Sequence, residues 1–393
     1  MSHPEPTQDA SEPSSTMQSS DAVHQMNQMG YRCVQFLPND RNIVVSPYTI
    51  ANMLVLLHKG SAGDTRAMLE KATNCGNLDR DLSPIFRRLS AELFNDPEGT
   101  HDFDLATVVM VGCECVTTPE VSSYLVENLN GRTECVPKEN FREKASERLR
   151  LWARHATRGE VDRIIDVECG PDEPVVVASA LNFRGRHCAR SSPRRTLVQP
   201  FRNFQGDINP VAMMTTRGVY NYVYLRELRA QAVRVSYDAD LSMLFLLPSQ
   251  PRQILQLEKD VNPQKLNWLL GQMRGMVVDL SLPRFSVEQL TSLKLFFIGL
   301  GLGDLFKKIP QGHDFRGLHG CPSLPVGNAF QLVRVLVDEN GIGYNLGDCV
   351  FHCRNLLGVR RPPVEFHAAH PFLFYVIDST SEAALIVGRV LRL

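Results

Sequence analysis

Near residue 175 the pattern of apolar residues changes from helical to strand-like, and this change restricts the fold more than any other feature. After Ser46-Pro47, the residues Ile50, Met53, Leu54 and Leu57 recur at the spacing of one helical face. Proline suits the first turn of that helix and Gly60 its end. A second helix starts near Asp64-Thr65, either of which can cap it, and carries Met68, Leu69 and Ala72. Residues 139–158 form another, charged on one side and holding Trp152. Beyond the change, Val175-Val176-Val177-Ala178 and Leu241 to Leu247 are continuous apolar runs suited to buried strands, while Val278, Leu280 and Leu282 alternate with Asp279 and Ser281. Phe372 to Ile377 and Ala384 to Val390 close the chain as two neighbouring strands. Helices first and strands after predict an α+β protein with large antiparallel or mixed sheets.

With 393 residues and 43% hydrophobic content, the chain can bury a large core. Its 42 basic and 43 acidic side chains nearly cancel, so net charge predicts no attraction to nucleic acid or an anionic membrane. No apolar run reaches the roughly 18 residues that span a bilayer. Residues 1–22 are rich in Ser, Thr, Pro, Gln and Asp and read as a flexible tail, with order beginning near Ala22-Val23. The start, Met1-Ser2-His3-Pro4-Glu5-Pro6, lacks the regions of a secretory signal. Ten scattered cysteines and the lack of an Asn-x-Ser/Thr acceptor fit a cytoplasmic protein with free thiols, with non-classical export to the extracellular space left open. Cys113 and Cys115, on one face of an expected strand, are read as buried and inert.

Between Glu339 and Pro371 a strand-like run leads into a long loop, and loops above about 12 to 15 residues are usually functional or disordered. Its borders, Val337-Asp338-Glu339-Asn340-Gly341 and Pro362-Pro363-Val364-Glu365-Phe366 followed by His370-Pro371-Phe372-Leu373-Phe374, resemble those of a serpin's reactive-centre loop. Further blocks resemble the same family in its order and spacing. They are Asn42 to Pro47 with Gly60 and Gly63-Asp64-Thr65; Trp152, Thr157 and Gly159; Ala180-Leu181-Asn182-Phe183-Arg184-Gly185; and Met213-Met214 with Gly218. Leu241-Ser242-Met243, Leu282-Pro283-Arg284-Phe285, Leu300-Gly301-Leu302 with Asp304-Leu305-Phe306, and Gly388-Arg389-Val390 complete the set. The Glu365 to Phe372 run is most similar to the ovalbumin-like, leaderless branch.

The resemblance implies a serpin fold over residues 23–393, with about nine helices around three β-sheets and an exposed loop at about 340–362. It also implies a mechanism. A protease cleaves the loop, which inserts as a missing strand of the main sheet and drags the acyl-linked protease with it. The partner would be a serine or cysteine protease, the inhibitor a monomer, and no cofactor or metal is called for.

The hinge departs from the family pattern. Small residues usually follow its glycine, whereas Gly341 precedes Ile342, Gly343, Tyr344, Asn345, Leu346, Gly347 and Asp348. In an inserted strand Ile342, Tyr344, Leu346 and Asp348 would share a face. Tyr344 needs more room than alanine, and Asp348 buried unpaired would cost on the order of several kcal/mol. Alternation of large residues with Gly343, Asn345 and Gly347 is nevertheless a half-buried strand pattern. Where the main sheet opens, the family's usual histidine, asparagine and tryptophan correspond to Gln331, Ser179 and His187, while Ser46, Thr49, Arg284 and Glu339 keep the expected types. An ion pair from Arg284 to Glu339 is expected at the top of the sheet.

Counting sixteen residues on from Glu339 places the scissile bond at Asn355-Leu356, and counting eleven back from Pro371 places it at Arg360-Arg361. Arg360 or Arg354 would suit a trypsin-like protease, and Asn355 an asparagine-specific one. Cys349, His352 and Cys353 lack an evident fourth zinc ligand and are read as free. Arg184, Arg186, His187, Arg190, Arg194 and Arg195 form a basic cluster that could meet an anionic polysaccharide, nucleic acid or acidic protein, although a solvated loop is the favoured reading because no aromatic platform is interleaved. No Gly-x-Ser-x-Gly, His-Glu-x-x-His or phosphate-cradling motif occurs, so an enzyme is not expected. The sequence thus supports a protease inhibitor, with a non-inhibitory binding protein on the same scaffold as the alternative.

Overall fold

The computed structural model describes residues 19–75, 78–94, 102–112, 117–159, 161, 165–168, 175–184, 195–237, 241–307, 314–319, 325–339 and 362–393. Helix α1 (Ser19–Phe36) begins a few residues ahead of Ala22, the expected limit of order, and buries Ala22, Val23 and Met26. After strand β1 (Ile43–Val45), Ser46 caps α2 (Pro47–Gly60) by accepting the Thr49 N–H at 3.1 Å. The sequence suggests one apolar face for α2, but every residue from Pro47 to Leu57 is buried. It is a central helix enclosed on all sides. Gly60 must remain glycine for packing reasons, since a Cβ there would lie 2.7 Å from the Cβ of Leu318.

Helix α3 (Gly63–Thr73) corrects the expected cap: Ala62 precedes it and no side chain caps it. Asp64 lies in its first turn, where an acidic charge suits the helix dipole, and Thr65 Oγ1 accepts the Asp314 N–H instead. Helices α4 (Leu78–Phe94) and α5 (Pro119–Leu129) complete the layer around α2, and α6 (Phe141–Ala156) lies apart from it.

Five strands form the sheet that positions the site: β2 (Asp102–Val111), β3 (Arg132–Cys135), β4 (Val175–Arg184), β10 (Phe285–Ser292) and β11 (Asn328–Val337), in the order β10-β11-β4-β2-β3. One face, with Val177, Leu181, Val333 and Val335, packs into the main core with α2. The other, with Val176, Ala178, Ala180, Phe330 and Leu332, lies under Leu149, Trp152 and Ala153 of α6. Burial on both faces explains the unbroken apolar run at the start of β4.

The remaining strands are β5 (Arg195–Arg202), β6 (Ile208–Leu225), β7 (Ala230–Ser236), β8 (Leu241–Pro248), β9 (Arg274–Pro283), β12 (Val364–His367), β13 (Phe372–Asp378) and β14 (Ala384–Val390). With β1 they form one continuous ladder, β1-β14-β13-β8-β7-β6-β9-β12, with β5 attached to β6. The 18-residue β6 joins what would otherwise be two smaller sheets, since its start pairs with β5 and β9 and its end with β7. At the centre, Phe201, Phe245 and Phe285 surround Phe372, with ring centroids 5.4–6.5 Å apart. Gly388 faces Phe374 across β13 and β14, where a Cβ would come within 2.1 Å of the ring.

Candidate functional site

The centre of the five-stranded sheet is a seam between two parallel strands. β4 and β11 pair in register from Asn328 opposite Val176 to Leu336 opposite Arg184, although they lie far apart in sequence. Midway, Gln331 stands opposite Ser179, and the two side chains bond away from each other. Ser179 shares a 2.8 Å hydrogen bond with Thr107 of β2. Gln331 Nε2 donates to the Ser46 carbonyl at 2.8 Å and to Thr49 Oγ1, while the Ser46 N–H donates to Gln331 Oε1 at 3.0 Å. All five residues are buried, so these bonds satisfy groups that would be costly to leave unpaired. Four of the residues read from the sequence as opening the sheet, Ser46, Thr49, Ser179 and Gln331, thus meet in one place.

At the top of the seam the contacts run across it. Arg184 Nη2 of β4 donates to Asp338 Oδ2, just beyond β11, at 2.6 Å. Arg334 Nη1 of β11 donates to Asn182 Oδ1 of β4 at 3.3 Å. Asn182 Nδ2 in turn donates to Asp104 of β2 at 3.3 Å, and Asp104 pairs with Arg158 at 2.8 Å. Burial, reinforced by the charge of Asp338, raises the pKa of the neighbouring Tyr237 phenol.

Arg284 and Glu339 do approach, but only to 4.0 Å and with the Arg284 side chain 57% exposed. Glu339 is held more closely by Thr196 Oγ1, which donates to it at 3.2 Å. Such an open pair contributes little. Sequence reasoning missed Asp104, Asn182, Arg334 and Asp338. Even spacing within each strand places Asn182 and Arg184, like Arg334 with Phe330 and Leu332, on the α6 face, but their pairing depends on a strand register that local sequence does not disclose. Arg184, counted above in a basic cluster, directs its guanidinium to Asp338.

Several expected site residues lie outside the described residues: Gly341, Ile342, Tyr344, Leu346, Arg354, Asn355, Leu356, Arg360 and Arg361 of the loop, and His187. The same holds for Arg186, Arg190 and Arg194, for Cys113 and Cys115, and for Cys349, His352 and Cys353, while Arg195 is described only as the start of β5. The two ends of the loop are described. Glu339 lies at the top of β11, and after Pro362 the chain enters β12, which pairs in parallel with β9. There His367 Nε2 and Gln199 Oε1 lie 2.9 Å apart. Burial lowers the pKa of the nearby His370 imidazole, against the opposing effect of its bond to the Pro371 carbonyl. Among the described residues no group of His, Cys, Asp and Glu could hold a metal, and no helix is long and apolar enough to cross a membrane.

Comparison with known proteins agrees with this architecture. A family model described as "Serpin (serine protease inhibitor)" matches residues 24–393. Serpin B10 of Papio anubis is 27% identical, over 89% of this chain and 93% of that protein. Leukocyte elastase inhibitor of Xenopus tropicalis is 23% identical, over 88% of this chain and 92% of that protein. The crystal structure of uncleaved ovalbumin superposes with a TM-score of 0.81 at 19% identity, covering 95% of this chain and all of that one.

Proposed function

The chain belongs to the serpin family, and from that premise we propose that it inhibits a serine or cysteine protease by loop cleavage and insertion between β4 and β11. The supporting observation is the parallel seam. A segment that leaves the top of β11 and folds back runs antiparallel to both β11 and β4. Its entry would replace one parallel ladder by two antiparallel ones, and parallel pairing is the slightly weaker kind. The segment from Asn340 to Arg361 is the bait, with Arg360-Arg361 and Asn355-Leu356 as the bonds offered. On the α6 face an entering strand would have the small Ala178 and Ala180 of β4 on one side and Phe330 and Leu332 of β11 on the other. Thiols such as Cys33, Cys75 and Cys135 are free, in keeping with action in the cytoplasm.

Incubation with trypsin-like and asparagine-specific proteases should give a covalent complex that survives denaturing electrophoresis. Cleaved protein alongside fully active protease, for every enzyme tried, would refute inhibition.

A second reading, a serpin-fold binding protein that no longer traps proteases, is favoured by the contacts across the mouth of the seam. An entering strand has to part Arg184 from Asp338 and Arg334 from Asn182. Hydrogen bonds to charged groups are worth about 1.5–3 kcal/mol. Adding about 3 kcal/mol to the barrier slows entry roughly a hundredfold, which gives the acyl link time to hydrolyse. Melting temperature after nicking separates the readings: a large rise means that the seam has accepted a strand, and no change means that it stays closed.

A further inference from the structure

The hairpin of β5 and the start of β6 breaks the usual division of a half-buried ribbon into an apolar inside and a polar outside. Phe201, Val211 and Met213 point inward and are buried. The opposite face carries Val198, Pro200, Pro210 and Ile208, with Pro200 across from Pro210 and Val198 across from Ala212. Val198 is 76% and Ile208 58% exposed, and contiguous apolar surface of this kind marks contact sites. The free edge of β5 is closed to a further strand. Its Arg202 N–H is taken by the Ala369 carbonyl at 2.8 Å, and Pro200 has no N–H to offer. What the hairpin presents is therefore its face.

That face adjoins both ends of the segment 340–361. Thr196, in the same outward row, donates to Glu339 at 3.2 Å. Arg284, 4.0 Å from Glu339, donates its backbone N–H to the carbonyl of Ala212 at 2.8 Å, directly across from Val198. After the segment, His367 Nε2 lies 2.9 Å from Gln199 Oε1, and Ala369 is the residue bonded to Arg202. Both borders of the segment are thus fastened to one strand of eight residues.

We propose that this face is a second contact surface for the protease that takes the loop, meeting an apolar patch beside that enzyme's cleft. The inference rests on the reading of segment 340–361 as bait. A stable interface buries about 800 Å² on each partner, spread over about 20–30 residues a side, which is more than one segment lying in a cleft provides. An enzyme seated on a segment whose two ends are both tied to β5 also rests on what adjoins β5. Among the described residues of the hairpin, Val198 and Ile208 are the most exposed large apolar side chains. Apolar anchors at such a position select among proteases that share a preference for arginine or asparagine at the cut bond.

The test measures the second-order rate at which trypsin-like and asparagine-specific proteases cut the loop in the full chain. The native protein is compared with Val198→Ser/Ile208→Ser and with Val126→Ser/Leu295→Ser. Val126 and Leu295 are 63% and 65% exposed elsewhere on the surface, so the second pair removes similar apolar side chains from outside the hairpin. For the protease that cuts the native protein fastest, the rate should fall about tenfold or more in the hairpin variant and stay unchanged in the control. Exchanging the two residues, as Val198→Ile/Ile208→Val, keeps the apolar area and should restore the rate. Equal rates in the native protein and the hairpin variant, for every protease that cuts the loop, would overturn the surface. So would a native dimer that the hairpin variant converts to monomer, since the face would then belong to a second copy. The rate is readable whether the protease is trapped or released. Cutting without a covalent complex therefore refutes inhibition alone, and unchanged rates refute the surface alone. A loop that no protease cuts takes the surface down with the reading on which it rests.

Discussion

The two sheets bury their centres in opposite ways. In the middle of the nine-stranded sheet, β8, β13 and β14 are buried along their whole length, and the rings of Phe372 and Phe374 pack on Phe285 and on Gly388. In the middle of the five-stranded sheet, the equally buried positions carry Ser179 and Thr107, bonded to each other at 2.8 Å, and Gln331, bonded to the Ser46 backbone at 2.8 and 3.0 Å. Interlocked apolar side chains have one good arrangement and lose contact with any displacement. Polar groups can exchange one partner for another at little net cost, because a typical hydrogen bond contributes only about 1 kcal/mol net. The first centre resists displacement, and the second tolerates it better.

Phe374→Ala should have the largest effect. It removes a buried ring from the rigid centre and should cost about 3–5 kcal/mol in chemical denaturation, with hydrogen exchange quickened throughout rather than at the seam. An equally small effect from both centres would break the contrast. Gln331→Ala should cost about 1–3 kcal/mol by leaving the buried Ser46 N–H without its acceptor. Its signature should be local, with exchange quickened first in β11 and at the start of α2. The smallest effect concerns pH. Burial lowers the folded-state pKa of His370, so its contribution to stability is complete above the ordinary histidine value of about 6.5 and is lost as pH falls through it. Melting temperature should drop between about pH 7.5 and 5.5, and His370→Gln should flatten that profile by on the order of 1 °C. An unchanged profile in the variant would refute the assignment.

Most of the framework was legible because it depends on local pattern. The start of α2 follows from Ser46-Pro47, the site of β4 from its apolar run, and α6 from its one-sided charge and Trp152. What stayed hidden depends on neighbours distant in sequence. Periodicity showed one apolar face of α2 because a helix enclosed on every side carries Asn52 and His58 among its buried residues. Asn52 is satisfied by the Tyr48 carbonyl and the Tyr124 hydroxyl, and His58 Nε2 lies 2.8 Å from Glu70. The clasp from Arg184 to Asp338 could not be read because 154 positions separate the two residues, while the adjacent arginines suggested a basic loop.

The placement of β13 and β14 determines what a cut means. Any cut between Asn340 and Arg361 leaves these strands on a separate polypeptide, yet β14 is flanked by β1 and β13, and β13 by β14 and β8. The C-terminal piece is thus a guest held inside its host by three ladders, β12 on β9, β13 on β8 and β14 on β1, and by an aromatic core. A nicked molecule should travel as one particle of unchanged mass through a sizing column and separate only in denaturant. In a cell, cleavage would thus not register as loss of a fragment.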